Sequence, residues 1–318
     1  MTVRALAATP WLAVALAALS CTSGAPLPEV KVHASVSPVA AQALVTLSVN
    51  RRLARVVLVD DPAEADLAWF GDPVQALRHA RLLVPGSAPD ASGVAARWKD
   101  PARRFFPVGA RARILVVDPR ASLPVQPRNL RDLADPRLAG LQALARPDQG
   151  EGPATFAALA LLSSDDAALG LARAIAAQRP AIPLDGPGVQ ALVATGKAAF
   201  GLAGSEQGAA GAVSVAALEV VYPDQSGFGT LVFPTAAAVM LRGVEKPVVH
   251  ALAEWLSGSD AEQLLVARTP GLMPLRVEVP VPPGVRSARD LRSPVLDWER
   301  LSETEKRLTP QLGRIFRP

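Results

Sequence analysis

Cysteine, tyrosine and histidine are scarce in this 318-residue chain: one cysteine, Cys21, one tyrosine, Tyr222, and three histidines at 33, 79 and 250. A single cysteine excludes an internal disulfide and any cysteine-built metal site. The histidines are scattered without motif spacing, so a zinc site has no support. Lysine occurs only at 31, 99, 197, 246 and 306, so the 33 basic residues are mostly arginine. No basic run exists to track a phosphate backbone, and the net charge of +4 therefore does not point to nucleic acid. Aromatics at 4 % beside abundant Ala and Pro read as genomic base bias, not as function.

Catalytic signatures are missing as well. Gly-x-Ser-x-Gly does not occur, and Gly204-Ser205-Glu206 lacks the flanking glycines of a nucleophile elbow. Gly150-Glu151-Gly152 runs into Pro153, which fits neither a phosphate loop nor a dinucleotide fingerprint. The carboxylate pairs Asp60-Asp61, Asp165-Asp166 and Asp132 with Asp135 sit at turns or helix starts, where capping explains them. No enzyme and no cofactor are expected.

What is present begins at the amino end. Arg4 precedes an apolar run, Ala5 to Leu19, and then Ser20 and Cys21. A charged start, a short apolar stretch and a small residue before the cut predict a secretory signal over 1–21. Residues 22–28 are small, polar and Pro-rich, as a tether would be. No later stretch approaches eighteen apolar residues, so a soluble exported domain is expected. Half the chain is hydrophobic, ample for a core, and the length suits two domains.

Along that domain, strands and helices alternate. Residues 30–34 alternate at period two, and Val39, Ala43, Leu44 and Leu47 fall at helical spacing after Pro38. Strands are predicted at 56–59, 66–70, 111–118, 141–145, 198–202, 218–221 and 235–241. Helices are predicted at 73–81, 129–134, 155–162, 165–178, 188–195, 247–257, 260–268 and 297–316. The alternation predicts a largely parallel sheet with helices on its faces.

Six segments, in order, resemble the substrate-binding proteins of bacterial ABC importers, in the branch of ferric-ion and aminoethylphosphonate binders. They are Val30 to Ser35, Ala65 to Trp69, Ala110 to Asp118, Leu130 to Gly140 with Ala145-Arg146-Pro147, Val220 to Gln225 with Gly229 to Val232, and Leu256 to Leu265. Ala18-Leu19-Ser20-Cys21 is similar to the bacterial lipoprotein signal, in which the cysteine is acylated and becomes the new amino terminus.

The resemblance implies a type II periplasmic-binding-protein clamp: an α/β fold of two lobes, mixed sheets flanked by helices, and a ligand cleft between them. Residues 29–115 with 219–318 would form one lobe and 116–218 the other, with a hinge near Val117 and Val220. The partners implied are a small-molecule ligand, an ABC permease in the inner membrane, and the membrane itself through lipid on Cys21. A monomer in the periplasm or cell envelope is expected.

Site residues follow from the same resemblance. Ser205 and Glu206 stand where iron-binding relatives carry tyrosines, Ser37 near their cleft histidine and Gly71 near their carboxylate, so ferric binding by the usual ligands is not expected. Anion binding fits better. Helix amino ends at Ser35 to Ser37 and at Gln149 to Thr155, including Gly150, Gly152 and Thr155, favour negative charge. Arg111 and Arg113 match an Arg-x-Arg strand and share a face from which a fork can reach an anion. Each alone could equally be a salt bridge, and Glu206 with Asp72 could instead recognise an amine. Tyr222 is read as packing under a turn more than as a ligand contact. The other readings are a sensor or envelope lipoprotein with a degenerate ligand site, and an envelope hydrolase for which Ser205 with Glu206 is the only candidate.

Overall fold

The computed structural model describes residues 26–212 and 217–317. The signal segment, Cys21 and most of the tether lie outside them. Val30 and Val32 turn inward from β1 (Glu29–Ala34), as their alternation requires. Ser37 accepts the Ala40 N–H and Pro38 occupies the first turn, which starts α1 (Pro38–Asn50). β2 (Arg55–Val59) and β3 (Leu67–Phe70) then pair parallel to β1 on its two sides. Asp72 caps α2 (Pro73–Arg78), which stops short of the expected Arg81 and gives way to a 3-10 turn at Ala80–Leu82.

β4 (Phe106–Val117) is buried along its whole length. Only its second half was legible, because Pro107 and Gly109 interrupt the first. Gly109 has φ +71, and a Cβ there would lie 2.9 Å from Leu272. The register shifts between Pro107 and Ala110, so the Pro and Gly sit in a bulge.

The second half of the sheet carries β5 (Gln142–Leu144), α3 (Gly152–Leu162), α4 (Asp165–Ala177), α5 (Gly186–Ala194), β6 (Phe200–Gly204), α6 (Ser205–Ala212) and β7 (Glu219–Val221). α6 has no counterpart in the sequence reading, since Ser205 to Ala212 is Gly- and Ala-rich and lacks an apolar stripe. β8 (Val232–Val239), α7 (Pro247–Leu256), α8 (Ser259–Val266) and α9 (Trp298–Ile315) complete the chain.

The strands lie in the order β2-β1-β3-β8-β4-β6-β5, with β7 also on β4. The sheet is mixed, and the expectation of a largely parallel one is corrected. β1, β2 and β3 run parallel, as do β5 and β6, whereas β4 is antiparallel to β6, β7 and β8, and β8 to β3. β4 changes partners within its length: Ala112 pairs with Val232 of β8, and Arg113 with Gly204 of β6. One strand thus belongs to both halves. The segments near Val117 and Val220 lie side by side, with Val116 opposite Val220, and the chain crosses a second time between β7 and β8.

That second crossing is a tight turn. Asp224 adopts φ 61, its carboxylate accepts the Leu130 N–H at 3.1 Å, and its own N–H donates to Arg128 O. Gly229 has φ +96, and a Cβ on it would stand 2.3 Å from the Arg292 carbonyl oxygen. α9 buries Leu301, Leu308 and Leu312 and packs against α2, α3 and α4, so it touches both halves. Arg78 of α2 pairs with buried Glu305, and Arg307 pairs with Asp165 at 2.7 Å.

Two predictions follow from the turn. Gly229→Ala meets both a left-handed backbone and a carbonyl, and should cost about 2–4 kcal/mol of stability in denaturant melts. Burial, and secondarily the charge of Asp132, push the Asp224 carboxyl up to about 6 from 3.8. A raised carboxyl binds its proton better in the folded chain, so stability is full below pH ~4 and falls as pH rises through 6. Asp224→Asn keeps an acceptor for Leu130 and tolerates the positive φ. It should be more stable than wild type by about 1 kcal/mol at pH 8, discounted for solvent, and equal to it at pH 4.

Candidate ligand cleft

Arg111 and Arg113 stand two residues apart on β4, one on each side of the partner switch, and both are buried. Buried guanidiniums must be compensated. Arg111 donates from Nη2 to the Gly71 carbonyl at 2.8 Å, while its Nη1 lies 2.7 Å from Glu151 Oε1 and 3.3 Å from Glu206 Oε2. Arg113 places Nη1 2.7 Å from Glu151 Oε2, donates from Nε to Thr155 Oγ1 at 3.0 Å, and lies over the Phe233 ring. One carboxylate, Glu151, therefore bridges two guanidiniums with its two oxygens.

Glycines permit this approach. A Cβ on Gly71 would stand 2.3 Å from Arg111 Nη2, and one on Gly152 would stand 2.5 Å from the Arg146 carbonyl. Gly150 carries φ +56, and the bend it makes leads the chain into Glu151. Glu151 is the N-cap of α3, yet its side chain makes no capping bond, unlike Ser37, Asp72, Ser164 and Asp185 on their helices.

The electrostatics follow from these contacts. Burial opposes the charge on Arg111, but Glu151, Glu206 and Asp72 outweigh it and hold its pKa up. Burial alone would raise the Glu151 carboxyl, and the two arginines pull it below the usual range. Burial raises Glu206, and Arg111 and the Ser37 hydroxyl offset this only in part while Glu151 repels it. The cluster is thus close to neutral.

Beside it lies a cavity of about 210 Å³ at the carboxyl ends of the parallel strands β5 and β6. In open α/β sheets that edge is where ligands bind. Leu144, Pro147, Phe156, Leu184 and Leu202 give it mostly apolar walls, and Arg113, Glu151 and Thr155 meet it on one side. Arg113 Nη2 is buried and has no hydrogen-bond partner among the described residues.

The family of bacterial extracellular solute-binding proteins matches residues 74–304. This chain belongs to that family. The solute-binding protein is also similar in structure to iron-bound HitA from Pseudomonas aeruginosa, with 16 % identity, coverage of 90 % of this chain and 99 % of that one, and a TM-score of 0.78. It resembles Trichodesmium FutA in complex with iron and citrate (18 % identity, 91 % and 99 % coverage, TM-score 0.76). AfuA from Actinobacillus pleuropneumoniae with fructose-6-phosphate gives 16 % identity, 91 % and 98 % coverage, and a TM-score of 0.76. No curated protein sequence matches. The fold is the two-lobed type II clamp that the sequence implied.

Within the solute-binding protein, several expected site residues are already engaged. Ser35 Oγ donates to Gln75, Ser37 caps α1, and Asp72 accepts from the Gln75 backbone and side chain. Ser205 Oγ donates to the Gly271 carbonyl and accepts the Ala112 N–H, so it is no free nucleophile. The Tyr222 hydroxyl accepts the Arg286 N–H at 3.3 Å with the Arg286 guanidinium over the ring, which is packing under a turn. Arg111, Arg113, Glu206, Gly71, Gly152 and Thr155 do come together. Of the two readings open for Arg111 and Arg113, anion contact or salt bridge, both arginines here carry a carboxylate partner. Glu151 was missed, and its signal was an acidic residue between two glycines just ahead of a Pro-started helix. Among the described residues no group of His, Cys, Asp and Glu could hold a metal, and no helix is long and apolar enough to cross a membrane.

Removing Arg111 leaves the buried Glu206 carboxylate without its cation and facing Glu151. Arg111→Met should cost about 3–5 kcal/mol at pH 8. Glu206 would then rise further, and a carboxyl raised in the folded state loses stability as pH climbs through it, so the loss should shrink toward pH 5. Arg111→Met with Glu206→Gln should recover part of the loss, which a double-mutant cycle by urea melts would show.

Proposed function

We propose that this chain captures one small solute between its two lobes and hands it to the membrane permease of an ABC importer, without covalent chemistry. The observation that carries the reading is the cavity at the ends of β5 and β6, set beside a strand that belongs to both halves. A ligand held there touches the second lobe directly and meets Arg113 of the shared strand, two residues from Arg111, which itself contacts Gly71 of the first. Closure about β4 and the 222–231 turn needs only a few backbone torsions. Membership of the solute-binding family and the likeness to binding proteins that hold iron or a sugar phosphate support the same role.

The same proposal places the protein outside the cytoplasm, anchored through acyl chains on Cys21. Bacterial lipoproteins carry several such chains, and two or more give stable attachment. Labelling with a radioactive fatty acid should mark the wild type and not Cys21→Ala.

Melting the full chain in mild detergent against phosphonates, phosphate, carboxylates, polyamines, uncharged amides and ferric citrate tests capture. A solute at 100 times its Kd adds about 2.7 kcal/mol to the folded state and visibly raises Tm. At least one class should do so and also reduce the radius of gyration by X-ray scattering. Absence of any shift across all classes would overturn solute capture.

A further inference from the structure

We propose that Glu151 sets the charge class of the solute: its carboxylate occupies the place an anion would take between Arg111 and Arg113, so the cavity accepts an uncharged, largely apolar solute carrying a hydrogen-bond acceptor, and excludes anions. This inference rests on the solute-capture reading above.

The geometry of the bridge is the first ground. A bound carboxylate or phosphate would place two oxygens against the two guanidiniums, and Glu151 does this with Oε1 and Oε2, each at 2.7 Å. The residue is not there to cap α3, because its side chain accepts no N–H at that helix start. It is also accessible: about a third of its side chain is exposed, whereas the arginines it joins are under a tenth.

Charge balance is the second ground. Arg111 and Arg113 face Glu151 and Glu206, and Asp185 stands at the cavity rim capping α5. A free phosphate entering this set would bring negative charge to a cluster whose positive charge is already matched, in a site of low polarity. A cation fares no better inside, since both Glu151 oxygens face guanidiniums and Asp72 accepts from Gln75 with both of its own.

What remains unmatched is a donor. Arg113 lines the cavity and is 3 % exposed, and its Nη2, buried away from water, has no hydrogen-bond partner among the described residues. A buried donor without a partner disfavours the empty site and favours any ligand that brings an oxygen to it. The walls formed by Leu144, Pro147, Phe156 and Leu202 take the apolar remainder. At about 210 Å³ the space lies below the roughly 300–1,000 Å³ of drug-sized pockets, so the solute is small.

The test compares wild type and Glu151→Gln, as full chains in detergent, against inorganic phosphate, methylphosphonate, putrescine and a set of uncharged amides, esters and alcohols with apolar bodies. Wild type should be stabilised by members of the uncharged set and not by phosphate, methylphosphonate or putrescine. Glu151→Gln should bind methylphosphonate at least tenfold more tightly than wild type by titration calorimetry, with affinity falling as salt rises. Adding Arg113→Met to it should abolish that gain. Binding of phosphate, methylphosphonate or putrescine to wild type overturns the inference and leaves solute capture standing, and this arm needs no variant to fold. A folded Glu151→Gln that gains no anion affinity also overturns it. If nothing in any set binds wild type, the capture reading itself fails.

Discussion

Two positive charges buried side by side on one strand constrain everything around them. Each buried guanidinium needs acceptors within the fold. The Gly71 carbonyl, Thr155 Oγ1 and the Glu151 and Glu206 carboxylates supply them. The suppliers come from three segments, and two of these arrive through a glycine that no larger residue could replace. Gly71 has room for no Cβ against Arg111, and Gly152 has none against Arg146. The arginines therefore fix the β3–α2 junction, the start of α3 and the start of α6 relative to β4.

Because β4 pairs with β8 up to Ala112 and with β6 from Arg113, this charge cluster sits on the line between the two halves. Arg111 reaches the first half through Gly71 and the second through Glu151. Breaking a buried ion pair is expensive, whereas exposed pairs such as Arg307–Asp165 contribute little. The cluster is therefore one tie between the halves, and α9, with its buried leucines and the Arg78–Glu305 pair, is a second.

Much of the fold was readable from the sequence because its elements carry local signals. The Pro-started helices after Ser37, Asp72 and Asp185, and the apolar runs of β3 and β4, announce themselves by capping residues and periodicity. What escaped depends on distant partners. The direction of β4 against its neighbours follows from which strands return beside it, and the first half of β4 is a strand because β8 pairs with it across the bulge, where Ala110 also bridges Met273. The arginine pair was legible as an Arg-x-Arg strand, but Glu151 lies some forty residues away and only the folded chain brings it to them. A residue's type suggests what it can bind, and its neighbours decide whether that capacity is already taken.

The fold accordingly says less about the ligand than the strand ends do. A two-lobed clamp offers a cleft, and the same architecture can serve unrelated solutes. In this chain the cleft is furnished with charges that cancel one another and with walls of leucine, proline and phenylalanine. Electrostatic attraction, which draws ions to a site over long range, is largely removed by that cancellation. Selection must then rest on shape, apolar contact and the guanidinium N–H groups left without a hydrogen-bond partner. For a small apolar solute those interactions are short-ranged, at about 25 cal/mol per Å² of surface buried. Such a ligand is held firmly only when both lobes cover it, which makes closure the step that separates a fitting solute from a poor one.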